Sequence, residues 1–260
     1  MAQQSTTADM HGFPDRETTF NDFQVPMLSQ RYTVITPTLR GYPPSSVPLN
    51  VESYSSSNFV SDLEAIMDYE NATRATFIAH DVGGGIAQFF AFTHPRRVEA
   101  LILMNAPIIP TFQQLLSSDS EAQQYARYTI PYYTYEPGQP KNISTLVEPI
   151  RNITYRASIA SYLNASPISG MLHFYNLNYP GPPYGQHFNV SGLVQKVPTM
   201  LIWGSEDPYF SPKIIDGLQD WFSKGIRLVT IPKAGHWVFR DAWQRCNEEI
   251  LSFLQIAGKM

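Results

Sequence analysis

The chain has 260 residues, 43% of them hydrophobic and 15% charged, which suits one sizeable domain with or without an inserted piece. Its formal charge of −4 excludes the basic surface that nucleic acids require, and no apolar run approaches the roughly 20 residues that span a bilayer. The N-terminal MAQQSTTADM lacks the basic and apolar regions of a signal peptide, and Cys246 is the single cysteine, so we expect a cytoplasmic protein.

Strand-like and helix-like segments alternate over most of the chain. Short runs of apolar and β-branched residues predict strands over 31–37, 75–79, 98–107, 197–204 and 226–232. The spacing of apolar residues predicts helices over 58–69, 86–93, 213–223 and 243–254. Near-continuous apolar strands are typical of parallel sheets that helices cover on both faces. The pattern therefore predicts an α/β fold with a mostly parallel central sheet.

The alternation stops between residues 107 and 191. This segment is polar and rich in proline, and it holds ten of the fifteen tyrosines. Aromatic side chains are large and favour burial, so we expect the segment to pack over the sheet and not to act as a linker.

The stretch TFIAHDVGGGIAQFF, residues 76–90, places Asp81 between a predicted strand and a predicted helix. Aspartate is a common helix N-cap, because its carboxylate accepts backbone N–H groups. A nucleophile elbow has the same outline, and it requires small residues two positions before and after the exposed side chain. Ala79 and Gly83 meet that requirement, so the turn alone leaves both interpretations open.

An acid and a histidine follow the last two predicted strands. Asp207 comes after the fourth strand and His236 after the fifth. The carboxyl ends of parallel strands share one edge of the sheet, where such folds place their chemistry. The order Asp81, Asp207, His236 is the nucleophile–acid–histidine order of the α/β-hydrolase fold. Glu206 is an alternative acid, although the spacing after Gly204 favours Asp207.

Five motifs resemble, in order, the signatures of the epoxide-hydrolase branch of the α/β-hydrolases. They are HGFPD (11–15), LRGYPPSS (39–46), HDVGGG (80–85), WGSEDPYFSP (203–212) and AGHW (234–237). The resemblance extends from His11 to the C-terminus. It implies an α/β-hydrolase core formed by residues 1–106 and 192–260, and a mainly helical cap formed by residues 107–191.

The resemblance also implies roles for single residues. Asp81 is the expected nucleophile, Asp207 the expected acid and His236 the expected base. The backbone N–H groups of Phe13 and Val82 are the expected oxyanion hole. The remaining residues of the same motifs that we expect to support the site are His11, Gly12, Pro14 and His80.

In this family two cap tyrosines hydrogen-bond the epoxide oxygen. The segment GMLHFYNLNY resembles the second tyrosine segment of the family and indicates Tyr175. The first tyrosine is expected within YTIPYYTYEPG. We name Tyr132 there, while the spacing leaves Tyr128 and Tyr133 open.

An aspartate at the elbow changes the chemistry from that of a serine hydrolase. With an ordinary pKa near 3.9, a carboxylate is ionised at neutral pH and needs no base before it attacks. It attacks an sp³ carbon and forms an alkyl ester, which water activated by His236 then hydrolyses. The expected reaction opens a lipophilic small-molecule epoxide to a vicinal diol, and it calls for no metal or organic cofactor.

A dehalogenase is a second hypothesis, because dehalogenases use the same aspartate as nucleophile. Val82 stands where many epoxide hydrolases and haloalkane dehalogenases carry tryptophan, and where fluoroacetate dehalogenases carry arginine. Val82 disfavours a dehalogenase because it offers a halide only its backbone N–H.

The polar segment QQSTTADM stands where relatives have an aliphatic central strand before HGFPD. Polar side chains facing both layers of a buried sheet are costly. We therefore expect the N-terminal strands to be missing or degenerate: either the chain is a truncated or alternatively spliced product, or the sheet tolerates a weak substitute strand. A third hypothesis follows, in which the chain is a catalytically silent ligand-binding protein. The sequence carries no signature of an oligomeric state.

Overall fold

A computed structural model describes residues 5–257, which form a six-stranded sheet flanked by helices. The strands are β1 (Thr6–Met10), β2 (Thr33–Ile35), β3 (Ala75–His80), β4 (Val98–Met104), β5 (Thr199–Gly204) and β6 (Ile226–Ile231). Their order across the sheet is β2-β1-β3-β4-β5-β6, and every neighbouring pair is parallel. The predicted parallel α/β fold is confirmed.

The helices cover the sheet and fill the long segment between β4 and β5. The helices are α1 (Gln24–Leu28), α2 (Ser56–Tyr69), α3 (Asp81–Thr93), α4 (Ile109–Ser118), α5 (Ser120–Ala126), α6 (Ile130–Tyr133), α7 (Ile143–Val147), α8 (Ile153–Ala165), α9 (Ser169–Asn178), α10 (Val238–Asp241) and α11 (Trp243–Ala257). Helices α4 to α9 all fall between β4 and β5, where the cap is predicted. Within residues 5–257, no helix has the length and apolarity to cross a membrane.

The helix predicted over residues 213–223 is wrong. Two short 3-10 helices, Pro212–Ile215 and Leu218–Trp221, occupy this segment. Between them Asp216 is extended, and Gly217 has φ of 63°, a left-handed conformation that glycine adopts without steric cost. The apolar residues have the spacing of one continuous helix, but the backbone turns at Gly217 and divides the segment in two.

The polar segment before His11 forms a strand inside the sheet, which agrees with the second of the two expected alternatives, a sheet that tolerates a substitute strand at this place. Strand β1 lies between β2 and β3, with Thr7 paired to Thr76 and Met10 to Ala79. All five of its residues are buried. The backbone N–H and C=O groups of β1 pair with β2 on one side and with β3 on the other, and this pairing holds the strand in place in spite of its polar side chains. The first two residues of QQSTTADM lie outside the described residues.

Candidate active site

The turn from β3 to α3 holds Asp81 in a conformation that few residues adopt. Asp81 has φ of 50°, in the left-handed region, and it is 9% exposed. Backbone strain of this kind is concentrated at functional sites. A Cβ atom on Gly83 would lie 2.4 Å from the His11 carbonyl oxygen, and one on Gly12 would lie 2.4 Å from the Asp81 Cβ. The turn therefore requires glycine at both places, because the chain after β1 passes directly against it.

One oxygen of the Asp81 carboxylate is already bound by the backbone. The Phe13 N–H donates to Asp81 Oδ1 over 2.8 Å. Burial by itself would raise the pKa of Asp81, but His236 and this N–H together lower it below its ordinary value. Asp81 is therefore an ionised carboxylate with Oδ1 held and Oδ2 directed towards His236.

His236 lies between the two aspartates. Its Nδ1 is 2.8 Å from Asp207 Oδ2, and its Nε2 is 3.6 Å from Asp81 Oδ2. Burial would lower the pKa of His236, but the two carboxylates outweigh burial and raise it to about 10. At neutral pH the ring is thus an imidazolium that pairs with both acids. The structure brings these three predicted residues together.

Asp207, not Glu206, contacts the histidine. Asp207 Oδ2 also accepts a hydrogen bond from Asn105 Nδ2 over 2.6 Å, and Oδ1 accepts one from the Tyr209 N–H over 2.9 Å. Glu206 instead forms an ion pair with Arg151, 2.8 Å from Nη2. The alternative acid is therefore turned away from the site.

Comparison with known proteins identifies the family of the chain. The family model for the alpha/beta hydrolase fold matches residues 10–242. The chain belongs to this family. Epoxide hydrolase 3 of Xenopus tropicalis is similar to this α/β-hydrolase, with 26% identity in an alignment of 259 positions that covers 95% of this chain and 70% of that protein. The AB hydrolase superfamily protein YfhM of Bacillus subtilis has 25% identity in an alignment of 264 positions that covers 95% of this chain and 88% of that protein. The resemblance predicted from the motifs is confirmed.

Solved structures share the fold of this α/β-hydrolase. An epoxide hydrolase of Bacillus megaterium, crystallised with an inhibitor, superposes with a TM-score of 0.84 at 24% identity, over 97% of this chain and 94% of that one. A thermophilic esterase of Thermogutta terrifontis superposes with a TM-score of 0.75 at 19% identity, over 98% and 92%. At these identities the likeness establishes the fold alone.

Two buried histidines support the loops of this α/β-hydrolase. Nδ1 of His11 lies 3.1 Å from the Gly12 carbonyl oxygen, and Nε2 accepts the Leu39 N–H over 3.1 Å. His80 Nε2 lies 3.0 Å from the His236 carbonyl oxygen. Burial lowers the pKa of both rings, to about 4 for His11 and about 3 for His80, so both are neutral. Both rings contact backbone groups of the loops that surround Asp81 and His236.

Asp15, the last residue of HGFPD, was not among the predicted site residues. It is fully buried and accepts hydrogen bonds from the Tyr155 hydroxyl at 2.7 Å and the Trp237 indole at 2.9 Å. Burial raises the pKa of Asp15 to about 6, against these hydrogen bonds. Tyr155 belongs to α8, so this contact ties the segment between β4 and β5 to the loop that carries Phe13. The neighbouring Pro14 follows a cis peptide bond.

The predicted cap tyrosines lie over Asp81. Tyr132 and Tyr175 both line a small cavity with Asp81 and His236, and their ring centroids are 5.1 Å apart. Tyr128 lines the same cavity, whereas Tyr133 does not. Burial raises the pKa of Tyr132 and Tyr175 above the ordinary value, so both phenols are neutral donors.

Asn105 is a residue of the candidate site that the prediction missed. It follows β4 directly, at the same edge of the sheet as Asp81 and Asp207, and it has φ of 40°. Its side chain bridges the Asp207 carboxylate and the Gly204 N–H, which donates to Asn105 Oδ1 over 2.9 Å. A polar residue at the carboxyl end of a central strand is the signal that would have found it.

Proposed function

We propose that this α/β-hydrolase opens a lipophilic epoxide to a vicinal diol through an ester on Asp81. The observation that carries the proposal is a carboxylate at the elbow, where a serine hydrolase has a hydroxyl. Oδ1 is held by the Phe13 N–H, and the imidazolium of His236 lies on the Oδ2 side. The names of curated relatives, several of them epoxide hydrolases, support the same reaction.

In the first step Asp81 Oδ2 attacks one epoxide carbon. The carbon–oxygen bond of the ring breaks as the new ester bond forms, and the ring oxygen takes a proton from a phenol. Tyr132 and Tyr175 line the cavity beside Asp81, and their raised pKa values keep them protonated. Donation to the leaving oxygen is what makes an epoxide reactive towards a carboxylate.

In the second step water hydrolyses the ester. Alkylation removes the negative charge of Asp81, one of the two charges that raise the pKa of His236. The pKa of the ring therefore falls, and its proton passes to the tyrosinate that the first step leaves. The neutral ring then takes a proton from water, while Asp207 stays hydrogen-bonded to its Nδ1. The water oxygen bonds to the ester carbon of Asp81, and the diol oxygen leaves with a proton from His236.

The oxyanion of the second step forms on Oδ1, which already receives the Phe13 N–H. A second donor is the N–H of Val82, which stands in the first turn of α3. Amides in the first turn of a helix have no partner within the helix, and an oxyanion on Oδ1 would supply one for this N–H. Two backbone donors at this point are the arrangement that stabilises tetrahedral intermediates.

Trapping the ester tests the proposal. The His236→Gln variant is mixed with styrene oxide, and its intact mass is measured, followed by peptide mapping. We expect the mass to rise by one epoxide and the adduct to lie on Asp81. In wild-type protein, a single turnover in ¹⁸O-labelled water should place the label in the Asp81 carboxylate, because the water oxygen first joins that group.

The matched control is the double variant Asp81→Asn, His236→Gln, which should gain no mass. An adduct that persists in this double variant contradicts the assigned nucleophile. If wild-type protein releases no diol and His236→Gln stays unmodified with styrene oxide, the silent-protein hypothesis replaces the enzyme.

A further inference from the structure

The three consecutive glycines after the elbow have different surroundings. A Cβ atom on Gly83 would lie 2.4 Å from a backbone oxygen, and one on Gly84 would lie 2.2 Å from the Ala106 Cβ. These two positions exclude any larger residue. A Cβ atom on Gly85 would have one neighbour within 4 Å, the Phe174 ring at 3.7 Å, which is an ordinary contact. Close packing therefore explains two of the glycines and not the third.

Gly85 is also an unfavourable residue at its place in the helix. It lies in the second turn of α3, and its φ is not positive. Glycine in a helix interior is less favourable than alanine because it loses more backbone freedom on folding. Neither conformation nor packing requires glycine here, so the empty space beside Gly85 is the feature that remains to be explained.

That space belongs to one of two cavities that meet at the nucleophile. Asp81 and Tyr175 line both of them. The first cavity, which we call the apolar arm, encloses about 520 Å³ of space between atoms, open solvent included, and its lining includes Gly85, Phe89, Ile109, Phe112, Phe174 and Phe210. The second, which we call the tyrosine arm, encloses about 260 Å³ on the same measure, and its lining includes Tyr128, Tyr132, Leu146 and Tyr209.

The two arms differ in chemistry as well as in size. Hydrocarbon groups dominate the apolar arm, with Phe89 on the helical turn after Gly85 and the Phe174 ring opposite. The tyrosine arm includes His236 and the phenols that we propose as donors to the epoxide oxygen. An epoxide held at Asp81 thus lies where the two arms meet, with the larger and more apolar arm beside Gly85.

We propose that Gly85 determines specificity by keeping the apolar arm open for a bulky apolar substituent, such as an aryl group. The substrate is then a 1,2-disubstituted epoxide, with its larger substituent in the apolar arm and its smaller one in the tyrosine arm. This inference rests on the proposed epoxide hydrolysis. A side chain at position 85 would occupy the volume that the aryl group requires.

The test compares two epoxides in wild-type protein and in Gly85 variants. trans-1-Phenylpropylene oxide has a substituent for each arm, and propylene oxide has a single methyl group. We expect wild-type protein to have the higher kcat/KM for the phenyl compound. In Gly85→Leu the ratio of the two kcat/KM values should fall by about 100-fold, because steric exclusion acts on the larger substrate.

Gly85→Ala is the matched control, since it also replaces the helical glycine but adds one methyl group. The melting temperature of Gly85→Ala should rise, because alanine is more favourable than glycine in a helix interior. The ratio of its kcat/KM values for the two epoxides should fall by less than about 10-fold. If Gly85→Leu does not fold, Phe89→Trp fills the same arm and should lower the ratio in the same direction.

An unchanged ratio in folded Gly85→Leu, or a wild-type preference for propylene oxide, would overturn the inference while leaving epoxide hydrolysis intact. Failure of wild-type protein to release diol from either epoxide would instead refute the proposed function.

Discussion

Asp9 is a buried carboxyl at the centre of the sheet, and replacing it should stabilise the protein at neutral and alkaline pH. Neither of its oxygens has a hydrogen-bond partner among residues 5–257. Burial raises the pKa of Asp9 from 3.8 to about 7, and the Thr7 hydroxyl opposes this rise only weakly, without a hydrogen bond of ordinary geometry. The folded chain therefore favours the neutral acid.

The sign of the effect follows from the two pKa values. Below pH 3.8 the Asp9 carboxyl is protonated in both the folded and the unfolded chain, so its ionisation does not lower the free energy of unfolding. Between pH 3.8 and about 7 the unfolded chain releases a proton that the folded chain keeps, so stability falls as pH rises. Above pH 7 the loss levels off at about 4 kcal/mol, at 1.36 kcal/mol for each pH unit.

The perturbation is Asp9→Asn, which keeps the shape of the side chain and removes its ionisation. Urea unfolding followed by circular dichroism at pH 5 and pH 8 gives the difference in free energy of unfolding between variant and wild type. The free energy of unfolding of Asp9→Asn minus that of wild type should be about 2–3 kcal/mol more positive at pH 8 than at pH 5. Other titrating groups cancel because both proteins contain them.

Asp216→Asn makes the same replacement at an exposed carboxyl and serves as the control for the substitution itself. If the Asp9→Asn difference is equal at pH 5 and pH 8, the carboxyl is not desolvated in the folded state. The explanation of β1 as a strand that carries a neutral acid would then be wrong.

Three other substitutions test contacts around the site. Asn105→Ala removes the amide that donates to Asp207, so kcat should fall about 10- to 100-fold while pre-steady-state formation of the ester persists. An equal loss of ester formation and ester hydrolysis would contradict a role of Asn105 in hydrolysis. Tyr155→Phe leaves Asp15 without one donor and should lower the free energy of unfolding by about 1–3 kcal/mol, measured in urea; an unchanged value would refute the contribution of this contact. Gly84→Ala introduces the 2.2 Å contact and should lower the melting temperature, so an increase would show that the neighbouring loop yields.

The motifs predicted the catalytic constellation because each one lies at the carboxyl end of a strand. In a parallel sheet these ends share one edge, so Asp81, Asp207 and His236 could be placed together without knowledge of any distance. The same rule applied to Asn105, which the prediction passed over because a single asparagine after a strand has many explanations.

The sequence could not decide the state of the N-terminal strand. Alternation and apolarity are averages over a segment, and QQSTTADM is polar by either measure. The segment nevertheless forms a strand, because its backbone pairs with β2 on one side and with β3 on the other. The cost is a buried carboxyl at Asp9 that has no hydrogen-bond partner among the described residues. A local pattern does not contain these long-range pairings.

The sequence by itself determined the class of fold, the residue at the elbow and the order of the candidate site residues, because these depend on residue type and on position along the chain. Only the tertiary structure decided which acid meets His236, which tyrosines overlie Asp81 and which of the three glycines faces empty space. Those answers depend on side-chain directions and on contacts between segments far apart in the chain, such as Phe174 opposite Gly85. Packing in three dimensions fixes such contacts, and no periodicity within one segment encodes them.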